Sequence, residues 1–163
     1  MIRETTLTFP LALRARWPSP LAAEWLASYP SLFEAQDFEQ TLTQPTKHFF
    51  EWLAAVHLHQ RDGVFALIEK YGYGNHPRKV AALDRILGAG ADIVRSLRPK
   101  YGVQPPDLLV YTPDCSRYWF VEAKGPTDSV RSTQDSSYQI LQDALGADIE
   151  VVHFIPSPNG SVR

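Results

Sequence analysis

Glu122 and Lys124 stand two residues apart in Trp119-Phe120-Val121-Glu122-Ala123-Lys124, a segment whose other members are apolar. Side chains of an extended strand alternate between faces, so the acid and the base share a face with Phe120, while Trp119, Val121 and Ala123 take the other. Burying two such charges is costly unless each finds a partner, and a natural partner for a carboxylate in this setting is a divalent cation. Asp107 heads the preceding apolar run, and a hairpin turning through residues 112–117 would bring its carboxylate beside Glu122. Two carboxylates and the main-chain carbonyl of Ala123 then make a hard oxygen site suited to Mg²⁺ or Mn²⁺, ions that keep several waters. One such water can attack phosphorus, with the Lys124 ammonium orienting it and sharing the negative charge that builds on the phosphate. A further acid would serve a second ion or the open side of the first. Glu51 is the choice and Glu69 the rival.

The elements that must hold these groups are marked out by punctuation, because thirteen prolines fall mostly between periodic stretches. Leu21, Trp25 and Leu26 predict a short helix between a Ser19 cap and a Pro30 stop. Phe49, Phe50, Trp52, Leu53 and Val56 give the broad apolar stripe of a helix over 47–60, and Val64 to Glu69 reads as a buried strand. A glycine-bearing loop over 70–77 leads into an inserted helical pair, the first helix closing at Gly88 and the second at Pro99. The hairpin follows, then a helix over 134–145 and a last strand over 149–155. Residues 1–46 show no long periodic run apart from the short helix and are expected as an N-terminal helical extension. Residues 156–163 read as a tail. The predicted fold class is α/β, a mixed β-sheet flanked by helices with an α-β-β-β-α-β core over 47–155 and the helical pair inserted in it.

A length of 163 residues, 44% apolar and 21% charged, suits one domain with a real core and excludes a disordered, collagen-like or coiled-coil chain. No stretch approaches the roughly 20 apolar residues of a membrane span, and Glu4 and Pro10 interrupt any leader-like start, so a cytoplasmic protein with no membrane partner is expected. Cys115 is the only cysteine, which excludes an internal disulfide and a cysteine-built zinc site. The net charge of −2 hides an uneven distribution, since residues 70–100 hold seven Lys and Arg against two Asp. Such a run is either a solvated face or a phosphate-contacting surface. Tyr73, His76, Arg78 and Lys79, with Tyr71 nearby, are the candidates for gripping a nucleic-acid backbone. His57 and His59, two apart on a helix, point to different faces and offer no joint metal site.

Residues 105–134, PPDLLVYTPDCSRYWFVEAKGPTDSVRSTQ, resemble the VRR-NUC branch of the PD-(D/E)xK nuclease superfamily. The shared pattern is Pro-Asp, two strands, Glu-x-Lys-Gly-Pro-x-Asp and a downstream Gln, with Ala123 at a position where valine or leucine is more usual. The resemblance implies a restriction-endonuclease-like fold, metal ligation by Asp107 and Glu122, a catalytic Lys124 and a supporting Gln134. It offers no unambiguous match for the family's N-terminal acid, so Glu51 and Glu69 both stay open. The activity implied is that of a divalent-metal-dependent nuclease hydrolysing DNA phosphodiester bonds, with a structure-specific role in repair or recombination. One alternative is a DNA-degrading toxin domain neutralised by an immunity protein, and another is a non-catalytic nucleic-acid-binding module. A homodimer presenting two sites to a branched substrate is a further expectation.

Overall fold

A computed structural model describes residues 1–73 and 76–158. In chain order the elements are β1 (Ile2–Phe9), α1 (Leu11–Ala15), α2 (Leu21–Ser28), α3 (Ala35–Thr43), α4 (Phe49–Asp62), β2 (Phe65–Ile68), α5 (Pro77–Leu87), a 3₁₀ turn (Gly88–Gly90), α6 (Ala91–Tyr101), β3 (Leu108–Tyr111), β4 (Tyr118–Lys124), α7 (Ser132–Leu145) and β5 (Ile149–Pro156). The five strands form one mixed sheet in the order β1-β5-β4-β3-β2. The β3 strand is antiparallel to both β2 and β4, while β5 runs parallel to both β4 and β1. None of the helices among the described residues is long and apolar enough to cross a membrane.

The period-two alternation of the strands feeds two cores, one on each face of the sheet. Val121 and Ala123 of β4 face the side covered by α2 and α4, where Phe9, Phe49, Trp52 and Phe154 are buried. Phe120 faces the side covered by α5, α6 and α7, with Leu83, Leu97, Tyr138 and Leu141. Glu122 and Lys124 share the Phe120 face, as the alternation requires. On the other face Trp52 stacks on Phe33 with ring centroids 3.8 Å apart and planes 7° from parallel.

The α-β-β-β-α-β core with its inserted helical pair is as the apolar periodicity predicts. The first 46 residues differ from the helical extension expected of them. They contribute α1, α2 and α3, but they open with β1, whose residues Ile2 to Phe9 pair in parallel register with Ile149 to Pro156. The strand escapes a periodicity reading because its buried positions are few and its middle is built from Thr5, Thr6 and Thr8, good strand formers that carry no apolar signal. The α3 helix is hidden for a related reason: two of its inward positions are Asp37 and Thr41, both buried, and its cap is Glu34 in a reciprocal box with Asp37. Helix α6 continues past Pro99 to Tyr101, since a proline in the last turn removes only one hydrogen bond. The expected tail lies outside the described residues from 159 onward.

Truncating Trp52 to alanine removes the largest side chain of the α4 face, where the tight stack leaves little room for collapse. The expected loss is about 3–5 kcal/mol of unfolding free energy. Urea unfolding followed by fluorescence measures it, and a loss below about 1 kcal/mol would contradict the packing described.

Candidate metal centre

The hairpin sets the geometry. With Leu108 opposite Val121 in the β3–β4 register, Asp107 falls opposite Glu122 at the open end of the pair. Its Oδ2 accepts the Ala123 N–H at 2.9 Å, which ties the carboxylate to β4. The Tyr71 hydroxyl donates to the carbonyl of Pro106 at 2.7 Å and fixes the backbone just ahead of it. Glu122 and Lys124 are 3% and 5% exposed, so both charges are withdrawn from water into the sheet. They satisfy one another, with Lys124 Nζ donating to Glu122 Oε1 at 3.0 Å.

Gln134, in the first turn of α7, closes this arrangement. Its Oε1 accepts from Lys124 Nζ at 2.8 Å and from the Arg131 N–H at 2.9 Å. That assignment turns its amide Nε2 toward Glu122 Oε1, to which it donates. One side chain therefore holds the acid and the base at once. Gly125 follows Lys124 where a Cβ would stand 2.6 Å from Phe50 Cε2, so the Lys-Gly sequence lets the end of β4 pass close beneath α4.

From the other side of the sheet α4 contributes Glu51. Ligand atoms of His48, Glu51 and Glu69 lie within 4.8 Å of one another. His48 Nδ1 contacts the Glu69 carboxylate, and His48 Nε2 pairs with Gln44 Oε1 at 2.7 Å. His48 and Glu69 both adopt left-handed backbone, with φ of 73° and 42°. Such conformations cost of order 1–3 kcal/mol for non-glycine residues and persist where the surroundings impose them. The sequence leaves Glu51 and Glu69 as alternatives and does not single out His48. The structure brings all three together, and the His48-x-x-Glu51 spacing across a helix start is the one readable signal for the histidine.

The electrostatics are those of a site short of positive charge. Burial holds the Asp107 carboxyl well above the usual carboxylate range, and the neighbouring Glu122 and Glu51 carboxylates raise it further, against the Ala123 N–H and Lys124. Burial pushes Glu51 up to about 7, opposed by its own backbone hydrogen bond and by His48, and assisted by Glu69 and Glu122. The Tyr138 and Tyr71 hydroxyls beneath the cluster are raised by burial and by the Asp107 and Glu122 carboxylates. Four carboxylates with mutual influence thus face one ammonium. A donor set of carboxylate oxygens with a single imidazole nitrogen fits a divalent cation on charge and on ligand type. Glu51, Asp107, Glu122, Lys124, Arg131 and Gln134 line an open cleft of about 420 Å³ above it.

The family model of the VRR-NUC domain matches residues 52–154. The chain belongs to the VRR-NUC family. The match covers the β2–β5 core and the helices between, while β1, α1, α2, α3, His48 and Glu51 lie outside it. Among solved structures, paFAN1 bound to a 2-nucleotide 5′-flap DNA with a gap aligns over 91% of this chain and 49% of its own, at 14% identity and a TM-score of 0.42. The chain thus spans about half the length of that protein. No curated protein matches it significantly.

The residues expected from sequence to grip nucleic acid are disposed differently. Lys79 is 2% exposed and donates to Asp37 Oδ1 and the Ile68 carbonyl, each at 2.6 Å, and to the Glu69 carbonyl at 3.1 Å. It is a buried ion-pair partner that pins the end of β2 to α3, and it presents no charge to a ligand. Arg78 donates to the Ser31 carbonyl at 2.7 Å and pairs with Glu34 at 3.3 Å, again turned toward α3. His76 is half-buried as the N-cap of α5. Tyr73 alone is well exposed, at 43%, with the Arg98 guanidinium 4.8 Å over its ring. Gly74 and Asn75 lie outside the described residues.

The raised Glu51 carboxyl has a definite thermodynamic sign. A folded-state value above the unfolded one means that the native state binds this proton more tightly, so stability present below pH 4.5 is lost as pH rises to about 7. In chelator-treated protein the melting temperature is expected to fall across that window, with Glu51 contributing about 3 kcal/mol or less. Adding Mg²⁺ or Mn²⁺ reverses the fall. Glu51→Gln shrinks it, and an unchanged pH profile in that variant would remove Glu51 from the buried cluster.

Proposed function

We propose that this protein is a divalent-metal-dependent nuclease that hydrolyses phosphodiester bonds in DNA. The observation that carries the reading is the convergence of Asp107, Glu122 and Lys124 at one end of the β3–β4 hairpin, under a shared Gln134, in a chain of the VRR-NUC family. Asp107, Glu122 and the Ala123 carbonyl would hold Mg²⁺ or Mn²⁺, with Glu51 as the acid from α4 and His48 and Glu69 beside it. The cation supplies Lewis acidity for phosphoryl transfer.

The chain's own groups do the rest. Lys124 spends two of its three donors on Glu122 and Gln134, which leaves one for a water or for a phosphate oxygen. Held this way the Lys124 amine is fixed in place, so it can orient an attacking water and face the phosphate as it becomes five-coordinate. Gln134 bonds to both groups and so holds Lys124 and Glu122 in one fixed arrangement. Asp107, whose second oxygen is not consumed by the Ala123 N–H, retains a donor atom for the cation.

Asp107→Asn preserves shape and the Ala123 hydrogen bond while removing the charge, and Lys124→Met removes the ammonium while keeping the stem. Each is expected to lower Mg²⁺-dependent cleavage of plasmid or branched DNA by about 10²–10⁴-fold with circular dichroism unchanged. Chelator is expected to abolish wild-type cleavage. Undiminished cutting by either variant would end the assignment.

A further inference from the structure

The cations that line the groove beside the metal cleft lie outside the basic run at 70–100, in which Lys70, Arg85, Arg98 and Lys100 also have no acidic partner among the described residues. In that run Arg78, Lys79 and Arg95 are bound to Glu34, Asp37 and Asp84. Elsewhere Arg3, Arg16 and Arg61 are likewise paired with carboxylates. Arg14, Lys47 and Arg131 have no acidic partner among the described residues, and all three line one groove of about 620 Å³ that shares Glu51, Ala123 and Arg131 with the metal cleft. The two acids on this groove are committed already: Glu51 belongs to the carboxylate cluster, and Asp128 accepts the Gly125 N–H at 2.9 Å.

Two further features make these cations suited to phosphate. The Arg14 guanidinium lies 4.8 Å from the Phe49 ring centroid and 4.9 Å from that of Phe50, a cation–π placement, and its N–H donors are taken by no hydrogen bond among the described residues, which suits them to an oxyanion. Lys47 and Arg131 stand just ahead of α4 and α7, each a 14-residue helix. A cation there works against the helix dipole, and its repulsion is relieved by an anion. A placement that opposes local stability at the rim of a catalytic cleft is the pattern expected of a binding surface.

We propose that Arg14, Lys47 and Arg131 form the phosphodiester-binding wall of the substrate groove, receiving the DNA backbone on one side of the scissile bond. The inference rests on the nuclease reading above and deepens it. It gives the segment before residue 52, which lies outside the family match, a direct part in substrate binding: α1 supplies Arg14, and the α3–α4 junction supplies Lys47. On the far side of Asp107 a smaller recess of about 200 Å³ carries Lys70, so the backbone can continue past the metal cluster between cations on both sides.

The test is binding of a fluorescent DNA duplex to the full chain in Ca²⁺, followed by anisotropy from low to moderate salt. The double variant Arg14→Gln/Lys47→Ala is expected to weaken binding at least tenfold and to flatten the plot of log affinity against log salt by about 1.8, since each phosphate no longer neutralised lowers the slope by about 0.9. Lys47→Glu/Arg131→Glu, both at exposed positions, is expected to do the same and carries the test should loss of the Arg14 stack unfold the protein. Arg98→Ala/Lys100→Ala, in the basic run, is expected to leave the slope unchanged. Unaltered slopes in the groove variants, or a larger loss in the α6 variant, would overturn the proposal. Cleavage of the same DNA by wild-type protein and by Asp107→Asn separates the two readings. Wild-type protein that binds through this groove yet cuts no better than Asp107→Asn would sink the nuclease and keep the wall, whereas cutting that ignores the groove variants would do the reverse.

Discussion

The structure turns on an imbalance of buried charge. Asp107, Glu122, Glu51 and Glu69 come together where the sheet ends, and Lys124 is the one ammonium bonded within the group among the described residues. Leaving that imbalance uncompensated is expensive in a low-dielectric interior, which is why burial drives Glu51 and Asp107 toward their neutral forms. The fold tolerates it through rigid surroundings. Asp107 is fixed by a β4 amide, Glu122 and Lys124 by Gln134, and the strand end carrying Glu69 by Lys79. Each tie comes from a different element, so the cluster reports on the integrity of the whole sheet.

Much of this is legible in the sequence because apolar spacing and glycine or proline punctuation agree across residues 47–155. The stripe on α4, the run in β2, the two halves of the hairpin and the strand β5 each follow a single period. Asp107 and Glu122 can be paired from sequence because an antiparallel register leaves no other choice once the turn is placed. The illegible parts have physical reasons. β1 is a strand in which threonines occupy the middle, and α3 buries an acid and a hydroxyl where a periodicity reading looks for hydrocarbon. His48 sits at a left-handed cap, a position no periodic template describes.

The basic run misleads for a different reason. A count of charges along a chain says nothing of partners far away in sequence, and Lys79 meets Asp37 across 42 residues. A buried lysine bonded to a carboxylate and two carbonyls is part of the scaffold, however basic its neighbours. The reverse holds for Arg14 and Lys47, which belong to a stretch with little net charge and become conspicuous only through their place on the groove beside the metal cleft.

The union of β1 with β5 bears on how the molecule comes into being. Arg3 and Glu150 bond across 147 residues, so β1 leaves the ribosome long before its partner and finds its place only after the whole carboxylate-bearing core has been made. Closing a loop of that size is entropically slow, and the edge strand is left to a late stage of assembly. Arg14 follows directly on β1, so the wall that would receive a nucleic acid is finished late as well. A chain released only as far as Lys124 would own the carboxylate hairpin before β5 exists to seat β1, so the proposed wall is completed after the carboxylates it would serve.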